Sequence, residues 1–300
     1  MSRRKDKSTK RLPTYLFVCG IEGAGHHALE TVWEELGHYL DFKLVTFNPG
    51  LHAFAKDPKV PRAYQHSSIA LERQIQVFDN FLRQPDVLDK ELIIDARNSY
   101  PEGFGSGSLA HPDLVHLAAL DGYLFDLRVL VIQRNLTDAV LSAVRRFNVK
   151  QFTFKNLQYQ ARVVQDAMTM INNALAYVPC GKTLALSYDE LVAFPTAFAT
   201  PLAHLLTLDA VTLTKCFGGI RTHSKRKLSH AEGSQREEMT SATTGTDLDE
   251  FFHRASPLWP VLASTPLFPP PTQVLPPSPK LLPTLVRRQA IVVGSSHTCR

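Results

Sequence analysis

Cysteine is scarce in this chain, and no two cysteines stand in a metal-binding or redox pattern. The four that occur are Cys19, Cys180, Cys216 and Cys299, which lie far apart and form no CxxC pair. Neither a disulfide framework nor a zinc site is indicated. We therefore expect reduced thiols, a cytoplasmic compartment and no bound metal.

Long hydrophobic runs are missing as well. No stretch approaches twenty consecutive apolar residues, so the sequence predicts no membrane-spanning helix. A basic segment does precede an apolar run near the N-terminus, as it would in a signal peptide. That run holds only about five apolar residues before a glycine and a glutamate, which is too short for the hydrophobic region of a signal peptide.

Excess charge is confined to the first eleven residues. The segment MSRRKDKSTKR holds six Lys or Arg and one Asp, which sum to +5, and the whole chain also carries +5. The remaining residues therefore sum to about zero, so no nucleic-acid-binding surface is indicated. Short basic arms of this kind are usually solvated tails, and binding to an acidic membrane face or a targeting role is the alternative.

The remaining composition predicts one folded domain with tails. At 300 residues, 44% hydrophobic and 20% charged, the chain is large and apolar enough for a substantial core. Ten of its twenty prolines fall in residues 256–283, where neither helix nor central strand tolerates them. We predict a basic arm at 1–12, an α/β domain at 13–230, and a linker with a Pro-rich, disordered tail at 231–300.

Apolar runs and amphipathic stripes alternate along the predicted domain. The runs predict strands at residues 15–19, 42–47, 92–95, 127–133 and 183–187. Two of them, LIID and VLVIQ, are uninterrupted, as is typical of buried parallel strands. The stripes predict helices and consist of Leu29, Val32, Trp33 and Leu36; of Leu136, Val140, Val144 and Phe147; and of Val164, Met168, Ile171 and Leu175. This alternation predicts a three-layer α/β/α fold with a mostly parallel central sheet.

A glycine-rich turn joins the first predicted strand to the first predicted helix. In LFVCGIEGAGHHAL, Gly20 and Gly25 bracket four residues, and Gly23 lies between them. Such a turn can direct backbone N–H groups towards a phosphate, although a plain strand-to-helix connection has the same pattern. The lysine and the Ser or Thr of common nucleotide-binding loops are absent, and His26 and His27 follow Gly25 instead.

A second cluster of polar residues follows the fourth predicted strand. Arg134 stands at the carboxyl end of that strand, where open α/β sheets bind ligands. Asn135 begins a predicted helix, and Ser142 lies about two turns into it. A guanidinium and a hydroxyl in this arrangement could clamp one phosphate from two sides. The alternative is a surface arginine and an ordinary helical serine.

Together these segments resemble sulfotransferases that use 3′-phosphoadenosine 5′-phosphosulfate (PAPS) and share the P-loop-like fold. The spacing R-N-x-x-D-x-x-x-S, in Arg134, Asn135, Asp138 and Ser142, is similar to the family's 3′-phosphate-binding motif. The glycine-rich turn resembles the 5′-phosphosulfate loop, and SYDELVAFP (187–195) resembles a structural segment of the family. A basic cluster at 223–227 is similar to the loop that covers the 3′-phosphate in some members. The matches span residues 17–195, about three-fifths of the chain.

The resemblance implies a set of nucleotide-binding residues. They are Gly23, Ala24, Gly25, His26 and His27 for the 5′-phosphosulfate, Arg134 and Ser142 for the 3′-phosphate, and Lys225, Arg226 and Lys227 as a cover. Gly23 stands where the family has Lys or Arg, so the charge that stabilises the leaving group is missing from the loop. An imidazole of His26 or His27 could supply it.

The catalytic base that the family uses is also missing. Counting back from Pro101 puts Ser99 where cytosolic members have a histidine. Asp95, His26 and His27 are the candidate bases, and Glu22 is a further carboxylate in the loop. Residues 100–108 are expected to form a flexible loop that lines the acceptor pocket or merely connects two elements.

Three functions stay open at this point. The resemblance implies sulfonate transfer from PAPS to a hydroxyl or amine acceptor, without a metal, and leaves carbohydrate, peptide and small molecule open as the acceptor. A P-loop kinase or other nucleotide phosphotransferase is the first alternative, because LIID ending at Asp95 resembles a strand whose acid holds Mg²⁺. A catalytically inactive nucleotide-binding protein on the same fold is the second.

Overall fold

The computed structural model describes residues 11–45, 75–76, 78–100, 114–135, 138–140, 142, 164, 167–179 and 181–220. Several predicted features lie outside these residues: most of the basic arm, the loop at 100–108 apart from Tyr100, the helix-stripe residues Leu136, Val144 and Phe147, the basic cluster at 223–227, and the Pro-rich tail. Those features stay predictions.

The described residues form a five-stranded, fully parallel sheet. Its strands are β1 (Thr14–Ile21), β2 (Lys43–Val45), β3 (Leu92–Tyr100), β4 (Asp126–Gln133) and β5 (Thr183–Ser187), in the spatial order β2-β3-β1-β4-β5. All four neighbouring pairs are parallel. The predicted strands and the parallel α/β class are thus confirmed.

The central strand β1 is buried along almost its whole length. Every side chain from Tyr15 to Cys19 is fully buried, and Ile21 is 1% exposed. Strands covered on both faces need a continuous apolar run rather than an alternating one, and β1 has that run. Its burial fixes the position of the glycine-rich turn, which leaves β1 directly.

Strand β3 extends five residues beyond the predicted end at Asp95, so the prediction that Asp95 ends the strand is wrong. A bulge explains the difference. Phe17 pairs with Asp95 and Cys19 with Asn98, so two residues of β3, Ala96 and Arg97, lie opposite a single residue of β1. The Asn98 side chain donates to the carbonyls of Val18 and Asp95 at 3.2 and 3.1 Å, which satisfies the backbone at the bulge. Beyond it, pairing continues to Tyr100.

Helices fill the connections. A 3₁₀ turn (His26–Leu29) leads into α1 (Glu30–Leu36), followed by α2 (Leu114–Leu120), α3 (Tyr188–Ala193), a second 3₁₀ turn (Pro195–Phe198), α4 (Ala199–Leu206) and α5 (Ala210–Gly218). Helical residues also occur in parts of 75–82, 138–142 and 164–175. Two predicted stripes are confirmed as core, since Leu29, Val32, Trp33 and Leu36, and likewise Val164, Met168, Ile171 and Leu175, are at most 5% exposed. In the described part of the chain no helix has the length and hydrophobicity needed to cross a bilayer.

The order of the strands defines a crevice. The connection that leaves β1 runs to β2 on one side, whereas the connection that leaves β4 runs to β5 on the other. Right-handed crossovers therefore place the helices that follow β1 and β4 on opposite faces of the sheet. Ligands of open parallel sheets bind where such connections diverge, at the carboxyl ends of the strands, and here that point lies between β1 and β4.

An ion-pair cluster lies at the opposite edge of the sheet, where the strands begin. Lys182 donates to both oxygens of Asp121 at 2.8 Å and to Asp126 at 2.7 Å, and Arg128 donates to Asp126 at 2.8 Å. These side chains are mostly buried. The cluster ties the start of β4 to the start of β5, at the amino edge and away from the crevice.

Candidate functional site

The glycine-rich turn takes a conformation that requires glycine at two positions. Gly23 has φ 82° and Gly25 has φ 104°, in the region that side-chain-bearing residues avoid. The Glu22 N–H donates to the carbonyl of Tyr100, and the Ala24 N–H to that of Ile21, both at 3.0 Å. The Ala24 amide is therefore already used within the turn, and an anion bound there would have to replace this hydrogen bond.

Tyr188 packs directly on the turn. A Cβ atom at Gly25 would lie 2.3 Å from Cδ2 and 2.4 Å from Cε2 of the Tyr188 ring, so no side chain fits at this position. Tyr188 begins α3, whose N-cap is Ser187, with its Oγ accepting from the Glu190 N–H at 3.3 Å. The segment SYDELVAFP thus forms a capped turn of helix, which packs an aromatic ring against the glycine-rich turn.

Arg134 joins the turn to Tyr188. Its Nη1 donates to the carbonyl of Gly23 at 3.0 Å, and its guanidinium carbon lies 4.4 Å from the centre of the Tyr188 ring. The residue is only 8% exposed. A guanidinium stacked on an aromatic face and bonded to a carbonyl is held in a defined orientation, and burial strengthens its field.

The three segments therefore meet at one edge of the sheet. The turn follows β1, Arg134 follows β4, and Tyr188 follows β5, and these three strands are neighbours. Because all strands are parallel, their carboxyl ends lie together. The crevice between β1 and β4 is thus lined by a glycine-rich backbone and a buried, oriented cation.

His26 faces inwards. It is 6% exposed, and a Cβ atom at Gly20 would lie 3.4 Å from its Cε1 atom, so the ring packs beneath the first glycine of the turn. Glu22 is 4% exposed. Neither side chain is open to a molecule that approaches from solvent in this conformation, which leaves the backbone as the part of His26 that could contact a ligand.

Asp95 lies in the core rather than at the edge. It is fully buried, and the Tyr15 hydroxyl donates to its Oδ2 at 2.7 Å. Burial, and then the neighbouring Asp95 carboxylate, raise the pKa of the Tyr15 phenol well above its usual value, so Tyr15 stays protonated and remains a donor. Tyr15 also stacks on Phe125, with ring centres 4.8 Å apart. These contacts favour a structural role for Asp95.

Replacing Tyr15 with phenylalanine tests this role for Asp95. The ring and its stacking would be kept while the hydrogen bond to a buried carboxylate is lost. We expect the free energy of unfolding to fall by about 1.5–3 kcal/mol, measured by urea denaturation, with the affinity for a nucleotide ligand unchanged. A loss of nucleotide affinity without a loss of stability would instead place Asp95 in the site.

His27 faces outwards and contacts two further charged residues. Its side chain is 57% exposed, and its Nδ1 lies 2.7 Å from Oε1 of Glu30. The same Oε1 atom accepts a hydrogen bond from Nη2 of Arg97, on the bulge of β3. A histidine, a carboxylate and an arginine are thus brought together beside the turn.

The remaining predicted site residues are placed only in part. Asn135 begins a helix as predicted, with its Oδ1 accepting from the Asp138 N–H at 3.3 Å, and Ser142 is half-buried on that helix. Lys225, Arg226 and Lys227 lie outside the described residues. Within the described ranges, no three His, Cys, Asp or Glu side chains come together as a metal site.

Sequence reasoning missed Arg97, Glu30 and the contact made by Tyr188. Arg97 follows LIID, and the polar residues after that run resemble the end of a strand, so the bulge went unpredicted. Glu30 lies in the first turn of a helix, where acidic residues are common for electrostatic reasons alone. Tyr188 belongs to a segment expected to be structural, and only the steric demand of Gly25 reveals what it packs against.

No protein-family model and no curated protein sequence matches the chain. Several solved structures resemble it. The sulfotransferase domain from the Synechococcus PCC 7002 olefin synthase is 16% identical, over 68% of this chain and 76% of that one, with a TM-score of 0.41. The sulfotransferase domain from the curacin biosynthetic pathway is 13% identical, over 67% and 76%, with a TM-score of 0.40.

Mouse sulfotransferase SULT7A1, solved in complex with PAP, is 12% identical over 70% of this chain, with a TM-score of 0.43. The match covers 64% of SULT7A1, less than two thirds of its length. Likeness at these identities and TM-scores assigns no activity by itself. These three solved structures are sulfotransferases or sulfotransferase domains, and the glycine-rich turn and the Arg134 segment of this chain resemble the motifs of that family.

Proposed function

We propose that this protein transfers a sulfonate group from PAPS to a hydroxyl-bearing acceptor. The observation that carries the proposal is the position of Arg134, buried between the carbonyl of Gly23 and the ring of Tyr188. It ties a glycine-rich phosphate loop to an oriented cation at the crevice between β1 and β4. A two-phosphate nucleotide with phosphates at its 5′ and 3′ ends fits a site that has one anion-binding element on each of these strands.

Asp95 counts against the kinase alternative. In that mechanism the acid at the end of the neighbouring strand holds Mg²⁺ beside the phosphates. Here the carboxylate is fully buried, lies at mid-strand and accepts the Tyr15 hydroxyl. The loop also lacks the lysine and the hydroxyl residue that this chemistry uses. Charge stabilisation by fixed donors and cations is the chemistry that the described residues can supply.

The geometry of the turn supports a set of proposed binding roles. We propose that the backbone N–H groups of Gly23, Gly25, His26 and His27 hold the 5′-phosphosulfate, and that the Ala24 amide joins them only if its turn hydrogen bond opens. Arg134, with Ser142 on the following helix, would hold the 3′-phosphate. Residues 225–227 remain the proposed cover.

We assign the proton-accepting role to His27. Of the carboxylates and histidines proposed as bases, it alone has an exposed side chain; Asp95, Glu22 and His26 are at most 6% exposed. In the proposed reaction the acceptor oxygen forms a bond to sulfur while its proton passes to the His27 ring. The bond from sulfur to the 5′-phosphate oxygen breaks, and its electron pair leaves with the phosphate. The bound nucleotide supplies the sulfonate group, and the protein supplies position, charge and the base.

Ligand-dependent melting of the full chain tests the proposal. Stabilisation by 3′-phosphoadenosine 5′-phosphate (PAP) without Mg²⁺ is expected, because the proposed site binds phosphates with backbone donors and arginine. Stabilisation by ATP with Mg²⁺ and none by PAP would favour the kinase. Transfer of labelled sulfonate to a panel of carbohydrates, peptides and phenols then separates an enzyme from an inactive nucleotide-binding protein.

Replacing Arg134 with alanine should weaken the binding of PAP by about 1.5–3 kcal/mol, the range for losing hydrogen bonds to a charged group. The loss would combine a missing phosphate contact with a turn that is no longer held at the Gly23 carbonyl. Isothermal titration calorimetry with PAP gives the change directly.

Arg128, on the strand that Arg134 follows, provides a matched control. It is also a partly buried arginine, but it pairs with Asp126 at the amino edge of the sheet. Arg128→Ala should leave the PAP affinity unchanged once both variants are shown to be folded. Equal losses of affinity in the two variants would contradict the proposed site.

A further inference from the structure

We propose that Glu30 is a positioning residue that fixes His27 as a hydrogen-bond acceptor at Nε2. This inference rests on the proposed function, because it explains how the base of that reaction is held. Glu30 is absent from the site that the motifs predict, and it would touch neither nucleotide nor acceptor. It acts through His27.

The contact determines which nitrogen carries the proton. Nδ1 of His27 lies 2.7 Å from Oε1 of Glu30. An ionised carboxylate can only accept hydrogen bonds, so Nδ1 must be the donor. In the neutral ring, Nε2 then has a free lone pair, and this is the state required to accept a proton from an acceptor hydroxyl.

Arg97 holds Glu30 in place from the other side. Its Nη2 donates to the same Oε1 atom that contacts His27, so one oxygen joins both side chains. Arg97 reaches this position because the bulge of β3 inserts an extra residue opposite β1, and bulges commonly redirect a side chain at a site. The guanidinium also offsets the negative charge of Glu30, which would otherwise repel a phosphate bound at the turn.

Stability alone gives little reason for this arrangement. The side chains of His27, Glu30 and Arg97 are 57%, 33% and 38% exposed, and ion pairs this exposed contribute little to folding. A purely structural pair would fix the same tautomer, because the contact with Glu30 alone determines it, but its removal would leave turnover unchanged. A positioning role predicts that removal of Glu30 changes the tautomer and also lowers turnover, without a loss of stability.

The tautomer can be measured in the full-length protein without any ligand. In ¹⁵N-histidine-labelled protein, at a pH where the ring is neutral, protonated and unprotonated ring nitrogens have separate shifts. The chain has 12 histidines, and the His27 signals are identified by their loss in His27→Gln. We expect His27 with its proton on Nδ1, the less common form of free histidine. Glu30→Ala should return the ring to the Nε2–H form.

Kinetics supply the second measurement. Glu30→Ala should lower kcat by about 10²-fold, the lower end of the range for a positioned base, with the PAP affinity and the thermal midpoint nearly unchanged. Glu34→Ala is the matched control, since it removes the same charge from an exposed position one turn further along α1.

Different experimental results would overturn the positioning role of Glu30 and the proposed function. A wild-type His27 with its proton on Nε2, or a tautomer that Glu30→Ala does not change, overturns the positioning role whatever the ligand result. Equal losses of kcat in the Glu30 and Glu34 variants also overturn it. Wild-type protein that binds no PAP overturns the proposed function and, with it, the role of His27 as a base.

Discussion

Replacing His27 with alanine is expected to lower kcat for sulfonate transfer about 10²–10⁴-fold, the contribution typical of a positioned general base. His27 is the exposed member of the proposed bases and is held by Glu30. Alanine keeps the backbone N–H that the turn would offer to the 5′-phosphosulfate. The affinity for PAP should therefore change little, so the loss should appear in kcat. Single-turnover transfer of labelled sulfonate measures the rate of the transfer step itself, without interference from product release.

His38 offers the matched comparison for His27. It is an exposed histidine just beyond the other end of α1, away from the glycine-rich turn. His38→Ala should transfer sulfonate at the wild-type rate. If His27→Ala does so as well, the proton goes to another group, and the assignment of His27 as the base is incorrect.

Replacing Gly25 with alanine should remove nucleotide binding and destabilise the fold by roughly 2–5 kcal/mol, because two separate costs add. Gly25 has φ 104°, which strains any residue with a side chain, and a new Cβ atom would lie 2.3 Å from the Tyr188 ring. The ring would have to move, and with it the face on which Arg134 stacks. Urea denaturation measures the loss of stability, and calorimetry with PAP measures the loss of binding.

Two other glycines separate these costs. Gly122 and Gly181 also have positive φ, at 73° and 78°, but no atom lies within 4 Å of a Cβ built on either. Gly122→Ala and Gly181→Ala should therefore show the backbone cost alone and should bind PAP normally. Adding Tyr188→Leu to Gly25→Ala should recover part of the stability by making room. A Gly25→Ala variant no less stable than Gly122→Ala would contradict the close packing of Tyr188 on the turn.

The sheet could be predicted because its strands coincide with apolar runs, two of which are uninterrupted. A run such as VLVIQ would expose apolar side chains to water unless both faces of the strand are buried. All five predicted strands are present. The helix of Leu29, Val32, Trp33 and Leu36 was equally visible, since its spacing defines one buried face. The α/β fold class and the order of the strands and helices follow from local sequence patterns, which can be recognised without knowledge of contacts between residues distant in sequence.

The positions of the candidate site residues could be predicted only where a motif fixes them in the fold. Arg134 at the carboxyl end of a strand and the glycines of the turn were placed in this way, and their binding roles stay predictions. The burial of Asp95 was not, because the partner that holds it, Tyr15, is 80 residues away in the sequence. Likewise, Arg97 contacts Glu30 across 67 residues through an unpredicted bulge. Spacing along a chain carries no information about such contacts.

The contact between Arg134 and the turn also has a consequence for the order of folding. The Gly23 carbonyl is held by a residue 111 positions later, and the ring that packs on Gly25 belongs to a helix that begins after β5. Contacts between residues so distant in sequence form late, after the intervening chain has closed. During synthesis, the turn would leave the ribosome long before the side chains that shape it. The glycine-rich turn would therefore be among the last of the described parts to reach its final conformation.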